Sequence, residues 1–199
     1  MRIGYRAGCA LSIVISLSGC LRTELSPAPL DKAVIQLAHT AAKPIALQVV
    51  SPPEISEHAL VGNQYLFVLL PFGSIRLARP LDEVFEKSYR ALSLAGFRPL
   101  PGTPVNSGHL KITLRAISLS GFDLLFIRRV HCSITLDGEY IDQRGTTWTT
   151  TVTQDQGELR RQAFEPQLRH LLNSSMDRAV ERLLRQLRLT STAQNGSGG

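Results

Sequence analysis

The chain has 199 residues and a formal charge of +6, from 22 Lys and Arg against 16 Asp and Glu. That surplus is moderate: it suits solubility and mild attraction to anionic lipid, and is too small to argue for a nucleic-acid partner. Three cysteines are too few to staple a domain of this size, which is large enough to bury a core of its own.

The first nineteen residues read as an export signal. Arg2 and Arg6 form a positive start, Ala7 to Leu17 an apolar run, and Ser18-Gly19 a small-residue end. The run is shorter than the roughly 20 apolar residues that a membrane-crossing helix needs. Leu17-Ser18-Gly19-Cys20 resembles the lipobox of bacterial lipoproteins, and the resemblance implies diacylglycerol on the Cys20 thiol, cleavage before it and a further acyl group, such as palmitate, on its amine. Several acyl chains hold firmly where one holds marginally. Leu21, where enterobacterial lipoproteins retained at the inner membrane usually carry aspartate, implies the outer membrane, facing the periplasm. Loss of Arg2 and Arg6 lowers the charge from +6 to +4.

Residues 20–43 lack a firm period, contain Pro27 and Pro29, and read as a lipidated N-terminus and tether. Residues 44–188 are expected to form a single α+β domain. Pro44 to Ser51 is its first strand, a polar stretch follows to about Gln64, and Tyr65 to Leu70 is an interior strand. Pro80 to Gly96 is the clearest helix, with Pro80 in its first turn, Asp82 and Glu83 at its positive end and Gly96 as its stop. Leu81, Val84, Phe85, Tyr89, Leu92 and Ala95 form its apolar face. Phe97 to Leu100 is a short strand and 101–108 a loop.

An antiparallel meander comes next. Leu110, Ile112, Leu114 and Ala116 alternate with Lys111, Thr113 and Arg115, and Val130, Cys132, Ile134 and Leu136 alternate with polar neighbours. Asp142 to Gly145 turns the chain into a last strand whose inner face is Trp148, Thr150 and Val152. Pro166 to Leu187 is a helix with Leu168, Leu171, Leu172, Met176, Ala179, Leu183 and Leu187 on one stripe. Residues 189–199 read as a disordered tail. The expected architecture is two-layer: a mostly antiparallel sheet with two helices packed on one face.

Reaction chemistry is not legible. No nucleophile elbow, phosphate loop, dinucleotide fingerprint or zinc-protease motif occurs, so no catalytic residue, metal site or cofactor beyond the lipid on Cys20 is expected, and the protein reads as a non-enzyme. His109 and His131 could meet on the polar face of adjacent strands, without a third ligand. Cys132 reads as a small core hydrophobe. Two features suit contact. Phe122, Leu124, Leu125 and Phe126, followed by Arg128 and Arg129, form either an exposed hairpin end facing a partner or membrane, or the buried beginning of the next strand. Arg178, Arg182 and Arg185 recur at helical spacing, as a solvated face or a second contact.

The order of elements, with Pro44-Ile-Ala-Leu-Gln-Val-Val50 after the lipobox, Leu81 to Gly96 as first helix and Met176 to Leu187 as last, resembles the YajG-type lipoproteins of the bacterial outer membrane. It is also similar in pattern to the auxiliary lipoproteins of lipid-transport ABC systems. The resemblance implies a membrane-anchored, non-catalytic component that binds or scaffolds an envelope protein. The alternatives are an auxiliary subunit of an ABC- or MCE-type lipid transport system and, from another class, an envelope hydrolase.

Overall fold

The computed structural model describes residues 21–26, 43–55, 58–66, 70–101, 107–124, 127–160 and 164–189. In chain order these form β1 (Leu21–Leu25), β2 (Lys43–Val50), β3 (His58–Leu66), β4 (Leu70–Ala78), α1 (Pro80–Leu94), β5 (Phe97–Pro101), β6 (Gly108–Leu124), β7 (Ile127–Ile141), β8 (Thr147–Arg160) and α2 (Phe164–Gln186). The eight strands make one sheet.

The α+β class holds, but the sheet is mixed and curled into a half-barrel, which corrects the expectation of a two-layer, mostly antiparallel sheet. The pairs β1–β4, β2–β5, β2–β6 and β3–β6 are parallel, and β3–β4, β6–β7 and β7–β8 antiparallel. The reason lies in β6. One of its edges pairs with β7 throughout, while the other is shared: β2 takes residues 108–113 and β3 takes 119–123. The sheet therefore divides along a single strand.

A bulge makes that division possible. Leu114 pairs with Leu136 but Ala116 pairs with Thr135, so Arg115 is an extra residue in β6. Such a residue reverses which side chains face inward beyond it. Before the bulge the even positions Leu110, Ile112 and Leu114 are buried; after it Leu119 and Gly121 are, and Ala116 is exposed, against expectation. Strand β7 has no bulge, so Val130, Cys132, Ile134, Leu136 and Gly138 stay buried in unbroken alternation. Arg115 turns outward and pairs with Asp137.

The β3 edge requires a glycine. Gly62 lies opposite Leu119, and a Cβ added there would stand 1.4 Å from the Leu119 carbonyl oxygen. Strands β1, most of β3 and most of β4 fall where no strand is expected from sequence, and the interior strand expected from Tyr65 to Leu70 is not one strand: β3 ends at Leu66 and β4 begins at Leu70, paired with it antiparallel. Bulges at Leu60–Gly62 and Gln64–Tyr65 break the period of two in β3, leaving Leu60 exposed and Gln64 buried.

Helix α2 packs on β7 and β8, and α1 on β2, β5 and α2. The expected α2 stripe is buried throughout, with Val180 and Leu184 added; full burial of each leucine contributes about 1.5–3 kcal/mol. Gly138 lets α2 come close, since a Cβ there would meet Leu187 Cδ1 at 2.8 Å. In α1, Val84 and Leu92 are fully buried, with Leu81, Phe85 and Tyr89 partly so. Glu83 is buried among them, and that burial pushes its carboxyl pKa up against the opposing pull of Lys87 and Arg169. Lys87 reaches Asp177 of α2 at 3.0 Å.

The helix ends are closed locally. Pro80 opens α1 after Arg79, which is left-handed at φ 51°, and Gly96 follows it at φ 84°, as expected of a helix stop. Beyond α2, the Arg188 amide donates to the Arg185 carbonyl and Leu189 to Leu184, with Arg188 at φ 59°. This is a Schellman closure with arginine in the position that glycine usually takes. Leu189, expected as the first tail residue, is buried.

Gly62→Ala should be the most damaging single methyl addition in the sheet, because the obstacle is backbone that cannot rotate away. A loss of at least about 3 kcal/mol or failure to fold is expected in urea unfolding. An unchanged unfolding midpoint would contradict the β3–β6 pairing.

Candidate functional site

The candidate contact residues are placed by strand register. Leu21 lies opposite Gly73, Gly73 opposite Gln64, Gln64 opposite Gly121, and Gly121 opposite Val130. One row thus crosses β1, β4, β3, β6 and β7. Three residues further along β6, Leu124 pairs with Ile127 at the end of the β6–β7 ladder. Strand β1 runs away from this end, so Leu21 begins its strand three residues short of the level where the hairpin closes.

This overturns the expectation of a tether for residues 21–25. Leu21–Leu25 is a strand in parallel register with Gly73–Leu77, its Leu25 side chain fully buried. The Gln64 amide donates to the Thr23 hydroxyl at 2.7 Å, tying β1 across β4 to β3, and Arg169 of α2 donates to the Ser26 carbonyl. The pattern was visible in Leu21-Arg-Thr-Glu-Leu25, whose charges alternate with less polar residues. Residues 27–42 lie outside the described residues, as does Cys20, one peptide bond from Leu21.

Of residues 122–127, only Phe122 has a described side chain. Phe122 is within β6, half-buried, and stacks on Tyr65 of β3 with ring centroids 5.3 Å apart. It is a cross-strand partner more than a free anchor. Leu124 closes the ladder with Ile127, and Leu125 and Phe126, between them in sequence, lie outside the described residues. Arg128, the second residue of β7, lies opposite Asp123 on one side and Arg160 on the other, and Arg129 is exposed. The end of the sheet beside Leu21 therefore carries Arg128, Arg129 and Arg160.

Among the described residues no acid–base or nucleophilic arrangement emerges. His109 stands opposite Ile141 and His131 opposite Ser120, so the two histidines occupy opposite halves of the β6–β7 ladder and do not meet. His131 Nε2 pairs with Asp155 Oδ1 at 2.5 Å on the outer face. Among the described residues no group of three or more His, Cys, Asp and Glu could hold a metal ion, and no helix is long and apolar enough to cross a membrane. Cys132 is fully buried; burial pushes its thiol up to about 12, with a hydrogen bond to Ser175 opposing, so it stays protonated and unreactive. On α2, Arg185 pairs with Glu181 at 2.7 Å and Arg182 Nη1 donates to Gln154 Oε1 at 3.3 Å, so these two cations serve the helix and its contact with β8. Arg178 is exposed.

No protein-family model matches the chain, and no curated protein matches its sequence. Solved structures do resemble it. One, described only as an uncharacterized protein, superposes with a TM-score of 0.53 at 9% identity, over 84% of this chain and 99% of the other. A DUF330-family protein from Xanthomonas campestris gives 0.48 at 11% identity, over 82% and 91%. A minor lipoprotein from Acinetobacter baumannii gives 0.41 at 14% identity, over 73% and 91%. The first of these establishes a shared fold.

Proposed function

We propose that the chain is a lipid-anchored, non-catalytic component of the bacterial envelope that binds or scaffolds an envelope partner, held by acyl chains on Cys20 in the outer membrane and facing the periplasm. The observation that carries this reading is the place of Leu21. The residue after the lipobox cysteine starts a strand at the same end of the sheet as the β6–β7 hairpin. A lipid on Cys20 then holds that end of the domain down, with no tether to let it stand away.

Chemistry at that end fits a bilayer. Leu124, Leu125, Phe126 and Ile127 are consecutive apolar residues, and Arg128, Arg129 and Arg160 lie just behind them. Cations near an anionic leaflet contribute about 1 kcal/mol each, and apolar side chains at the interface add buried area. The resemblance of element order to the YajG-type lipoproteins supports the same reading.

Two measurements test it. Cys20→Ser should abolish incorporation of labelled palmitate and leave uncleaved precursor; palmitate on the variant, or none on the wild type, would refute the anchor. Phe126→Ser with Arg129→Gln, the latter at an exposed position, should leave the melting temperature of the anchored protein within about 2 °C yet weaken its cross-linking to lipid headgroups severalfold. Undiminished cross-linking would remove the hairpin from the membrane contact.

A further inference from the structure

The far end of the long strands, some seventeen residues of β6 away, carries a cleft that the anchor does not touch. Its volume is about 540 Å³, the size of a small-molecule site. It lies where β2, β5 and β6 begin, β7 ends and β8 begins, closed on one side by the end of α2.

Its lining is divided by chemistry. Phe97, Tyr140 and Trp148 form a half-buried aromatic floor, with the Tyr140 and Trp148 rings stacked at 5.6 Å and 21°. Gly108 makes room for that floor, because a Cβ there would come within 2.8 Å of the Tyr140 hydroxyl. Leu187 and Leu189 extend the apolar wall. Around it stand Lys43, Arg144 and Arg188, all exposed and none ion-paired among the described residues.

The single lining carboxylate is already engaged. Asp142 Oδ1 accepts the backbone amides of Arg144 and Thr146, each at 2.8 Å, and so fixes the turn that presents Arg144. Arg188 occupies a left-handed backbone position at φ 59°, where a non-glycine residue is disfavoured. A cation is thus held at a conformation that favours glycine, at the rim of a cleft where three cations face one carboxylate among the described residues. Burial and Asp142 both raise the Tyr140 pKa, which keeps its hydroxyl a hydrogen-bond donor.

We propose that this cleft binds a monomeric amphipathic anion, a single carboxylate or phosphate joined to a small apolar body. The cations at the rim take the charged group, in geometry that arginine matches well, and the aromatic floor takes the apolar body. A bare anion would leave the floor unused. A neutral sugar would find few free acceptors, because Asp142 is committed to its turn. The proposal concerns this end of the domain alone and stands whether or not Cys20 is acylated.

Trp148 is the only tryptophan in the chain, so intrinsic fluorescence reports this cleft directly. The full chain in phosphatidylcholine nanodiscs would be titrated with octyl phosphate, octanoate, octanol and inorganic phosphate. Saturable change is expected with octyl phosphate and octanoate, and binding at least about tenfold weaker with octanol and inorganic phosphate. Arg144→Gln with Arg188→Asn, where asparagine tolerates the left-handed backbone, should weaken octyl phosphate about tenfold while the melting transition is retained. Octanol or inorganic phosphate binding as tightly as octyl phosphate would overturn the proposal, as would an unchanged affinity in the double variant. Nanodiscs containing phosphatidylglycerol should leave Trp148 unchanged without added ligand; a response to them would show a bilayer headgroup as the source and overturn the monomeric assignment.

Discussion

Strand β6 is the constraint on which the rest of the sheet depends. It is paired along both edges, to one partner on one side and to two on the other, and only the extra residue Arg115 reconciles the two halves. Without the bulge, the inward positions set by Leu110 to Leu114 would put Leu119 on the solvent face. With it, Leu119 faces the core opposite Cys132 while β7 keeps its alternation unbroken. Gly62 completes the device, because β3 can reach β6 only where its backbone meets the Leu119 carbonyl without a side chain between. The curl of the sheet and the seat of both helices follow from that fork.

What was legible in the sequence is what obeys one period. The α2 stripe from Leu168 to Leu187, the unbroken alternation of β7 and the Gly96 stop all read directly, since each depends on neighbours within a turn or a strand. Misreadings fall where non-local pairing overrides local pattern. Ala116 continues an alternation that Arg115 has already reversed. His58–Leu66 carries two bulges, a glycine and a buried glutamine, and so looks polar and aperiodic. Leu21–Leu25 shows its alternation over five residues only, and its edge position is fixed by β4, some fifty residues later. Parallel pairings bring together distant segments, which is why the antiparallel meander was visible and the mixed sheet was not.

The candidate sites follow the same division. The lipobox and the apolar run after Phe122 are local features, and the sequence exposes them. Their convergence on one end of the sheet is not local: it passes through Gly73, Gln64 and Gly121, none of which marks a site by itself. The cleft at the other end draws residues from both ends of the folded core, Lys43 to Leu189, and its cations look like ordinary surface charge until Tyr140 and Trp148 are stacked between them. One long strand therefore separates the proposed membrane-facing end from the proposed anion-binding cleft. The inert, buried Cys132 thiol and the separated histidines leave the space between them to structure.

The pairing of β1 with β4 carries the orientation of the whole domain, because it replaces a tether with a fixed first strand. Backbone amide hydrogen exchange of the membrane-bound protein, followed by mass spectrometry on peptides covering residues 21–26 and 73–78, measures that pairing directly. Protection of residues 22–25 comparable with that of β4 is the predicted result. Exchange of residues 22–25 at the rate of an unstructured peptide, with β4 still protected, would contradict it and free the domain to stand off the bilayer.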